Sequence, residues 1–142
     1  MKNIGAQKQK QIKESFGRQN LMNLYNAKVD KMKEGYFEIS IPHQEALSRT
    51  SGIFNGGVMA ALADTSAGYA AVTLKEIGAY FLTVELKINF LNPAQGEKLI
   101  AVGEVIKNGK TLIISKSDIF TLSGKEKKLV ATSLVTLMHV KK

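Results

Sequence analysis

The chain has 142 residues, of which 44% are hydrophobic and 23% charged, and this balance is typical of one globular domain with a sizeable core. It has no cysteine and two histidines, which excludes disulfides and thiolate chemistry and argues against a zinc site, so we expect neither a metal nor a redox cofactor. The net charge of +8 comes from the ends: residues 1–35 carry eight Lys or Arg against three acids and residues 98–142 nine against three, whereas residues 36–97 carry three against six.

The sequence also predicts the cellular location of the protein and its classes of partner. The N-terminal residues contain no continuous apolar segment, which argues against a secretory signal, and no apolar run is long enough to span a bilayer, so we expect a cytoplasmic protein with no membrane partner. The positive charge fits a solvated surface, a nucleic-acid surface or a site for an anionic small molecule. Because no arginine cluster, aromatic platform or helix-turn-helix pattern accompanies it, we expect no nucleic-acid partner.

The first predicted element is a helical segment within residues 1–25. Apolar residues at helical spacing predict a helix over residues 6–25 that ends or bends at Gly17. Two strand-like runs follow, the second over residues 37–41, and a turn signal at Gly35 separates them. Residues 43–54 are predicted to form a loop.

The second predicted helix covers residues 55–75. This segment is rich in Ala and Gly and apolar on nearly every side, which is typical of a buried helix, and Gly78 is a plausible stop shortly afterwards. A single aspartate, Asp64, lies in its middle.

Four long strand candidates complete the chain, at residues 81–91, 98–107, 111–122 and 128–140. They alternate polar and apolar residues and are joined by short turns, among which Asn108-Gly109 is the strongest hairpin signal. The order of elements predicts an α+β fold in which an antiparallel sheet wraps around a long central helix. No repeat or linker divides the sequence, so residues 1–142 are predicted to form one domain.

Asp64 has two interpretations, because an ionised carboxylate in an apolar helix is costly unless it is hydrogen-bonded or paired. Asp64-Thr65-Ser66 could cap a second helical stretch inside the segment, or Asp64 could do chemistry. The helix start favours chemistry, because the N–H groups near Asn55-Gly56-Gly57 have no intrahelical acceptor and glycine lets a ligand oxygen approach them. That is the geometry of an oxyanion hole for acyl transfer, with a carboxylate as general base or nucleophile.

The spacing between these two features adds a constraint. Gly56 and Asp64 are eight residues apart, or about 12 Å along a helix axis. One carbonyl group therefore cannot readily contact both groups on one helix. If they serve one site, two antiparallel helices must contribute, each giving its glycine end to the other's aspartate across a two-fold dimer interface.

A family resemblance rests on these residues. Asn55-Gly56-Gly57 followed by Leu62-Ala63-Asp64, then Gly68 and Ala70, resembles the signature of hotdog-fold acyl-CoA thioesterases of the PaaI-like (phenylacetic acid degradation) type, whose usual form is His-Gly-Gly, four residues, then Leu-x-Asp. Residues 83–94 are similar to that family's strand after the central helix. The resemblance covers roughly residues 36–139.

The resemblance implies a homodimer, commonly paired into a tetramer as a dimer of dimers, that hydrolyses an acyl-coenzyme A thioester at the dimer interface. Coenzyme A is then part of the substrate, and no separate cofactor is needed. Asp64 is implied as the nucleophile or general base and Gly56 N–H as the group that polarises the thioester carbonyl. Gly57 and Gly68 are implied to lie against the substrate, and Thr83 to help hold the water or the carboxylate.

Two residues depart from the family pattern. Asn55 replaces the usual histidine, and although it can cap the helix and form hydrogen bonds it cannot shuttle protons. Arg49 stands where relatives often have Asn or Gln to position water, and it could pair with Asp64 or a neighbouring acid, or hold an anionic part of the substrate. These departures keep an alternative open, a hotdog protein that binds acyl-CoA without turnover as a sensor or carrier.

Other polar residues have more ordinary interpretations. His43 is predicted to be exposed, and His139 to be an edge or surface residue near the end of the last strand. Five lysines are candidates for contacts with coenzyme A phosphates, although a solvated surface is the simpler interpretation of each: Lys107, Lys110, Lys125, Lys127 and Lys128.

Overall fold

The computed structural model describes residues 1–140 and contains three helices and six strands within them. The helices are α1 (Ala6–Gly17), α2 (Asn20–Leu24) and α3 (Gly56–Val72), with a short 3-10 turn at Glu45–Leu47. The strands are β1 (Lys28–Lys33), β2 (Tyr36–Pro42), β3 (Tyr80–Phe90), β4 (Lys98–Asn108), β5 (Leu112–Ser123) and β6 (Glu126–Val140). No helix in residues 1–140 is both long and apolar enough to cross a bilayer.

The six strands form one antiparallel sheet in the order β1-β2-β4-β5-β6-β3, and α3 packs against five of them, β2 to β6. The predicted α+β architecture, a sheet around a long helix, is therefore confirmed. The turn residues explain the hairpins, because Gly35 and Gly124 have φ of 75° and 58° between paired strands, a region that glycine adopts at no steric cost.

Helix α3 lies unusually close to the sheet because small residues meet at the contact. A Cβ atom on Gly103 of β4 would overlap the carbonyl oxygen of Ser66. The Ser66 hydroxyl, which is fully buried, shares a 2.6 Å hydrogen bond with the hydroxyl of Ser117 on β5. The glycine therefore sets how near the helix backbone can come, and the paired hydroxyls satisfy polar groups that burial would otherwise leave costly.

The N-terminal segment packs through an aromatic cluster. Phe16 of α1 lies 5.9 Å from Phe37 of β2 and 5.4 Å from Tyr69 of α3, measured between ring centroids, and the rings of Phe37 and Tyr69 stack at 5.0 Å. The predicted break at Gly17 is confirmed, because α1 ends there and α2 begins at Asn20. Contacts of this type fix α1 against the central helix.

Helix α3 ends at Val72, before the predicted end at residue 75 and well before the glycine stop at 78. The backbone hydrogen bonds tighten to the 3-10 pattern after Thr73, because Leu74 N donates to Ala71 O and Lys75 N to Val72 O. The Thr73 hydroxyl donates to Ala70 O at 2.6 Å and accepts from Gly35 N at 2.7 Å. Lys8 of α1 then donates to the carbonyls of Thr73 and Lys75 at 2.7 and 2.5 Å. A cation at a helix C-terminus is favourable for both the free carbonyls and the macrodipole.

The prediction for His139 is wrong. Strand β6 lies between β5 and β3, so it is not an edge strand, and the His139 side chain is only 9% exposed. The ring stacks on Phe81 at 5.2 Å, and its Nε2 lies 3.1 Å from Glu76 Oε1. The other histidine, His43, is exposed as predicted.

We predict that Gly103→Ala lowers the free energy of unfolding by about 1–3 kcal/mol, because the added methyl group must push α3 away from the sheet. Chemical denaturation monitored by circular dichroism measures the change. Gly17→Ala is the matched control, since a Cβ there meets nothing within 4 Å. Equal stability of the two variants would contradict the close-contact interpretation.

Candidate active site

The start of α3 is held from both sides. Asn55 N donates to Leu47 O at 2.9 Å, and Phe54 N donates to Ala94 O at 2.9 Å, so two neighbouring segments position the residues just before the helix. Asn55 is the N-cap, and its Oδ1 accepts from Gly57 N at 2.7 Å. The asparagine side chain is therefore engaged in holding the helix start, and the Gly57 N–H already has an acceptor.

The N–H of Gly56 remains available at this helix start. The next N–H groups are satisfied, because Val58 N and Met59 N both donate to Asn55 O, at 3.1 and 3.3 Å. From Asn55 to Met59, Gly56 has the one N–H without an acceptor among the residues that the structure describes. A donor of this kind at the positive end of a helix suits an anionic oxygen.

Phe90 lies beside this donor and was not singled out from the sequence. A Cβ atom on Gly56 would lie 3.3 Å from Cζ of Phe90, a residue that is 52% exposed at the end of β3. The contact brings the end of β3 against the start of α3. No signal in the sequence pairs these two residues, which are 34 positions apart.

Asp64 lies in the middle of an uninterrupted α3 and is half-buried. The alternative in which it caps a second helix is therefore wrong. Thr83 Oγ1 of β3 donates to Asp64 Oδ1 at 2.6 Å, while Oδ2 has no hydrogen-bond partner within residues 1–140. One oxygen is thus held in place and the other is free for chemistry.

A cleft of about 590 Å³ opens beside this carboxylate. Asp64, Gly68 and Thr83 all line it, together with residues of α1 and the segment that leads into β3. A Cβ atom on Gly68 would meet only Leu137 Cδ2, at 3.9 Å, so the glycine keeps the cleft open one helical turn after Asp64. The size lies within the range of small-molecule sites.

The electrostatic setting of the cleft includes one paired acid at its rim. The pKa of Glu76 is lowered by a hydrogen bond from its own backbone and by the neighbouring His139. Within residues 1–140 no cluster of three or more potential ligand side chains could hold a metal ion.

The structure does not bring all predicted site residues together in one chain. Asn55, Gly56 and Gly57 lie at the helix start, and Asp64 is eight residues further on, about 12 Å along the axis. Arg49 is exposed in the preceding loop. The one ion pair among residues 1–140 is His139–Glu76, so within the chain Arg49 pairs neither with Asp64 nor with another acid.

The candidate lysines fall into two groups. Lys125 lies in the turn between β5 and β6, and Lys127 and Lys128 are the second and third residues of β6. This end of β6 is close to the start of α3, because Asn92 donates to Leu129 O at 2.9 Å and the same loop supplies Ala94 O to Phe54 N. The other two, Lys107 and Lys110, flank the turn between β4 and β5. That turn lies at the opposite end, where Lys75 donates to Gly109 O at 3.0 Å.

Comparisons with known proteins find a matching family, similar structures and a curated relative. The profile of the thioesterase superfamily matches residues 51–128. A thioesterase family protein from Silicibacter pomeroyi is 35% identical and superposes with a TM-score of 0.92 over 95% of this chain and 99% of that chain. The PaaI protein of E. coli, from the phenylacetic acid degradation operon, has the same fold, with a TM-score of 0.86 at 18% identity over 98% and 97% of the two chains. Acyl-coenzyme A thioesterase 13 of Mus musculus is 31% identical over 77 residues, 54% of each chain.

We predict that Asn55→Ala lowers the free energy of unfolding by about 1 kcal/mol, because the Gly57 N–H loses its acceptor. Asn55→Ser keeps a side-chain oxygen at the cap, so its free energy of unfolding should fall much less. Urea denaturation of the three proteins measures both changes. An equal loss in the two variants would mean that the cap is not what Asn55 contributes.

Proposed function

The chain belongs to the thioesterase superfamily, and we propose that it hydrolyses an acyl-coenzyme A thioester to the free acid and coenzyme A. This membership confirms the predicted hotdog thioesterase fold and the class of thioester hydrolases. The observation that carries the proposal is Asp64, a carboxylate with one oxygen held by Thr83 and the other free at a cleft of about 590 Å³.

Asp64 acts as general base or nucleophile in this proposal. As a base, it takes a proton from water while the water oxygen bonds to the thioester carbonyl carbon, and the proton then passes to the departing thiolate of coenzyme A. As a nucleophile, its free oxygen attacks that carbon, the thiolate leaves, and water hydrolyses the resulting anhydride. Both routes place negative charge on the carbonyl oxygen, and the Gly56 N–H at a helix start is the proposed donor to it.

The Gly56 donor is proposed to come from a second subunit, since about 12 Å along α3 separates it from Asp64 of its own chain. Strand β3 supports the pairing, because it is an edge strand with exposed apolar side chains such as Leu82 and Val84, which are 45% and 58% exposed. An exposed apolar edge strand can pair with a strand of another chain. Two β3 strands paired across a two-fold axis place the two α3 helices antiparallel, as a shared site requires.

A tetramer of two such dimers is part of the proposal. The side chains of Leu112, Leu134 and Met138 are exposed on β5 and β6, and apolar exposure of this kind is a common feature of subunit contacts. Mass measurement in solution distinguishes monomer, dimer and tetramer.

Two observations support coenzyme A as the leaving group. The mouse relative is named an acyl-coenzyme A thioesterase. In addition, Lys125, Lys127 and Lys128 lie at the same end of the molecule as the start of α3, where they can meet phosphates of a substrate whose carbonyl oxygen binds Gly56 N–H. Arg49, exposed on the loop before α3, is a further candidate for such a contact.

We predict that Asp64→Asn lowers kcat for acyl-CoA hydrolysis by at least about a hundredfold, because the amide can neither accept the proton nor attack the carbonyl carbon. A thiol-release assay over a panel of acyl-CoAs measures the effect. The matched control is Asp118→Asn, since Asp118 also accepts a threonine hydroxyl, from Thr132 at 2.7 Å, but does not line the cleft. Substantial turnover by the Asp64 variant would refute the catalytic role.

The same panel tests the alternative function. If wild-type protein binds acyl-CoA in calorimetry but releases no thiol, the protein is a binding module rather than an enzyme. Asn55, which cannot move protons as a histidine can, is the residue that makes this comparison necessary.

We predict that Gly56→Pro lowers kcat by a factor of about 10²–10³, whereas Gly56→Ala lowers kcat far less. Gly56 is the first residue of α3, a position where proline is tolerated, so the substitution removes the N–H and little else. Both variants place a Cβ against Phe90, so their difference isolates the N–H donor. Similar activity of the two variants would exclude Gly56 as the oxyanion donor.

Mixing inactive variants tests whether the site is shared. When Asp64→Asn and Gly56→Pro protomers are denatured and refolded together, each mixed dimer contains one site with both native groups. About a quarter of wild-type activity should return, because half of the dimers are mixed and each has one of two sites intact. No recovery from a folded mixture would mean that each chain forms its site alone.

A further inference from the structure

The wall of the cleft formed by the N-terminal segment is polar. Gln11 and Ser15 of α1 and Gln19 just after it line the cleft at a spacing of four residues. The positions that follow the first two, Ile12 and Phe16, are buried in the core. The segment therefore presents mainly polar side chains to the cleft, and Ile12 is the one apolar residue of α1 that also lines it.

These polar groups have hydrogen-bonding capacity that the protein does not use. Ser15 Oγ and the Tyr69 hydroxyl share one hydrogen bond at 2.9 Å, and Gln19 Nε2 donates to the Tyr69 oxygen at 3.1 Å. Only one of the two hydroxyl protons can lie between the two oxygens, so the other has no acceptor within residues 1–140. Gln11 Oε1 is buried and also has no partner there. Unmet polar groups of this kind cost free energy unless a ligand or water satisfies them.

The charged residues around the cleft do not favour an ionic ligand. Lys8 is engaged with the carbonyls of Thr73 and Lys75, and Glu76 is paired with His139. The remaining cleft-lining charges, apart from Asp64, are Glu14 and Arg18, which have opposite signs and stand four residues apart on the N-terminal segment. A neutral group is the best match to this wall.

The distance from the reacting carboxylate suits the far end of an acyl chain. Tyr69 is five residues beyond Asp64 on α3, or about 8 Å along the helix axis. Gly68 lies between them with no side chain to block the way, since a Cβ there would approach only Leu137. An acyl chain whose carbonyl carbon is at Asp64 can therefore extend along α3 to the polar wall.

We infer that Gln11, Ser15, Gln19 and Tyr69 form a subsite for the distal end of the acyl group, and that it selects acyl-CoAs whose chain ends in a neutral hydrogen-bonding group such as a hydroxyl. This inference rests on the proposed thioesterase function and names the acyl class for the same cleft. The subsite depends on α1, which lies outside the residues 51–128 that match the family profile.

The test compares straight-chain acyl-CoAs, from butanoyl to decanoyl, with their ω-hydroxy counterparts of equal length. At the best-fitting length, wild-type kcat/KM should be about 3- to 10-fold higher for the hydroxylated substrate, the effect of one neutral hydrogen bond. Tyr69→Phe and Ser15→Ala should each bring that ratio close to one. Tyr36→Phe is the matched control, because its hydroxyl donates to Glu38 at 2.9 Å away from the cleft, and it should keep the wild-type ratio.

A second measurement separates this inference from the proposed function. Calorimetric binding of the same substrate pairs to the Asp64→Asn variant reports the preference without turnover. If the wild type hydrolyses acyl-CoAs but neither kcat/KM nor binding favours the hydroxylated substrate at any length, the inferred subsite is wrong. The proposed thioesterase activity is then still supported. A binding preference that Tyr69→Phe abolishes supports the subsite even where no hydrolysis occurs. A preference that survives both Tyr69→Phe and Ser15→Ala overturns it.

Discussion

The close packing of α3 on the sheet is the constraint on which the rest of the structure depends. Gly103 lets the helix backbone approach β4, and the paired hydroxyls of Ser66 and Ser117 occupy the contact without leaving a polar group unmet. One side of α3 packs closely against β4 and β5, and the side that carries Asp64 lies next to β3 and outside the core. A carboxylate in an otherwise apolar helix is tolerated because it is half-buried and accepts the Thr83 hydroxyl.

The straight geometry of α3 has a second consequence. A helix holds its residues at fixed spacing, so the free N–H of Gly56 and the free oxygen of Asp64 stay about 12 Å apart along the axis in any one chain. No loop movement can bring them together. A site that uses both must be assembled from two chains, and the exposed edge of β3 is where a second chain can pair. In the proposed enzyme, catalysis and association therefore depend on the same strand.

The N-terminal segment has a role of its own in this arrangement. Its apolar side completes the aromatic cluster of Phe16, Phe37 and Tyr69, and Lys8 satisfies the carbonyls at the end of α3. Its other side closes the cleft with hydroxyl and amide groups. In the proposed enzyme, one short helix therefore contributes both to stability and, through the inferred subsite, to substrate choice.

The sequence by itself determined the elements and their order, because period, turn residues and apolar content are local properties. The buried helix and the hairpin at Asn108-Gly109 could both be predicted from it, and the joint use of the glycine-rich helix start and Asp64 in one site stays a prediction. Only the tertiary structure decided which partners these residues have. The hydrogen bond from Thr83, the ring of Phe90 over Gly56, the burial of His139 and the polar wall from α1 join residues far apart in the chain. Contacts between distant residues depend on how the elements pack, and local sequence does not contain that information.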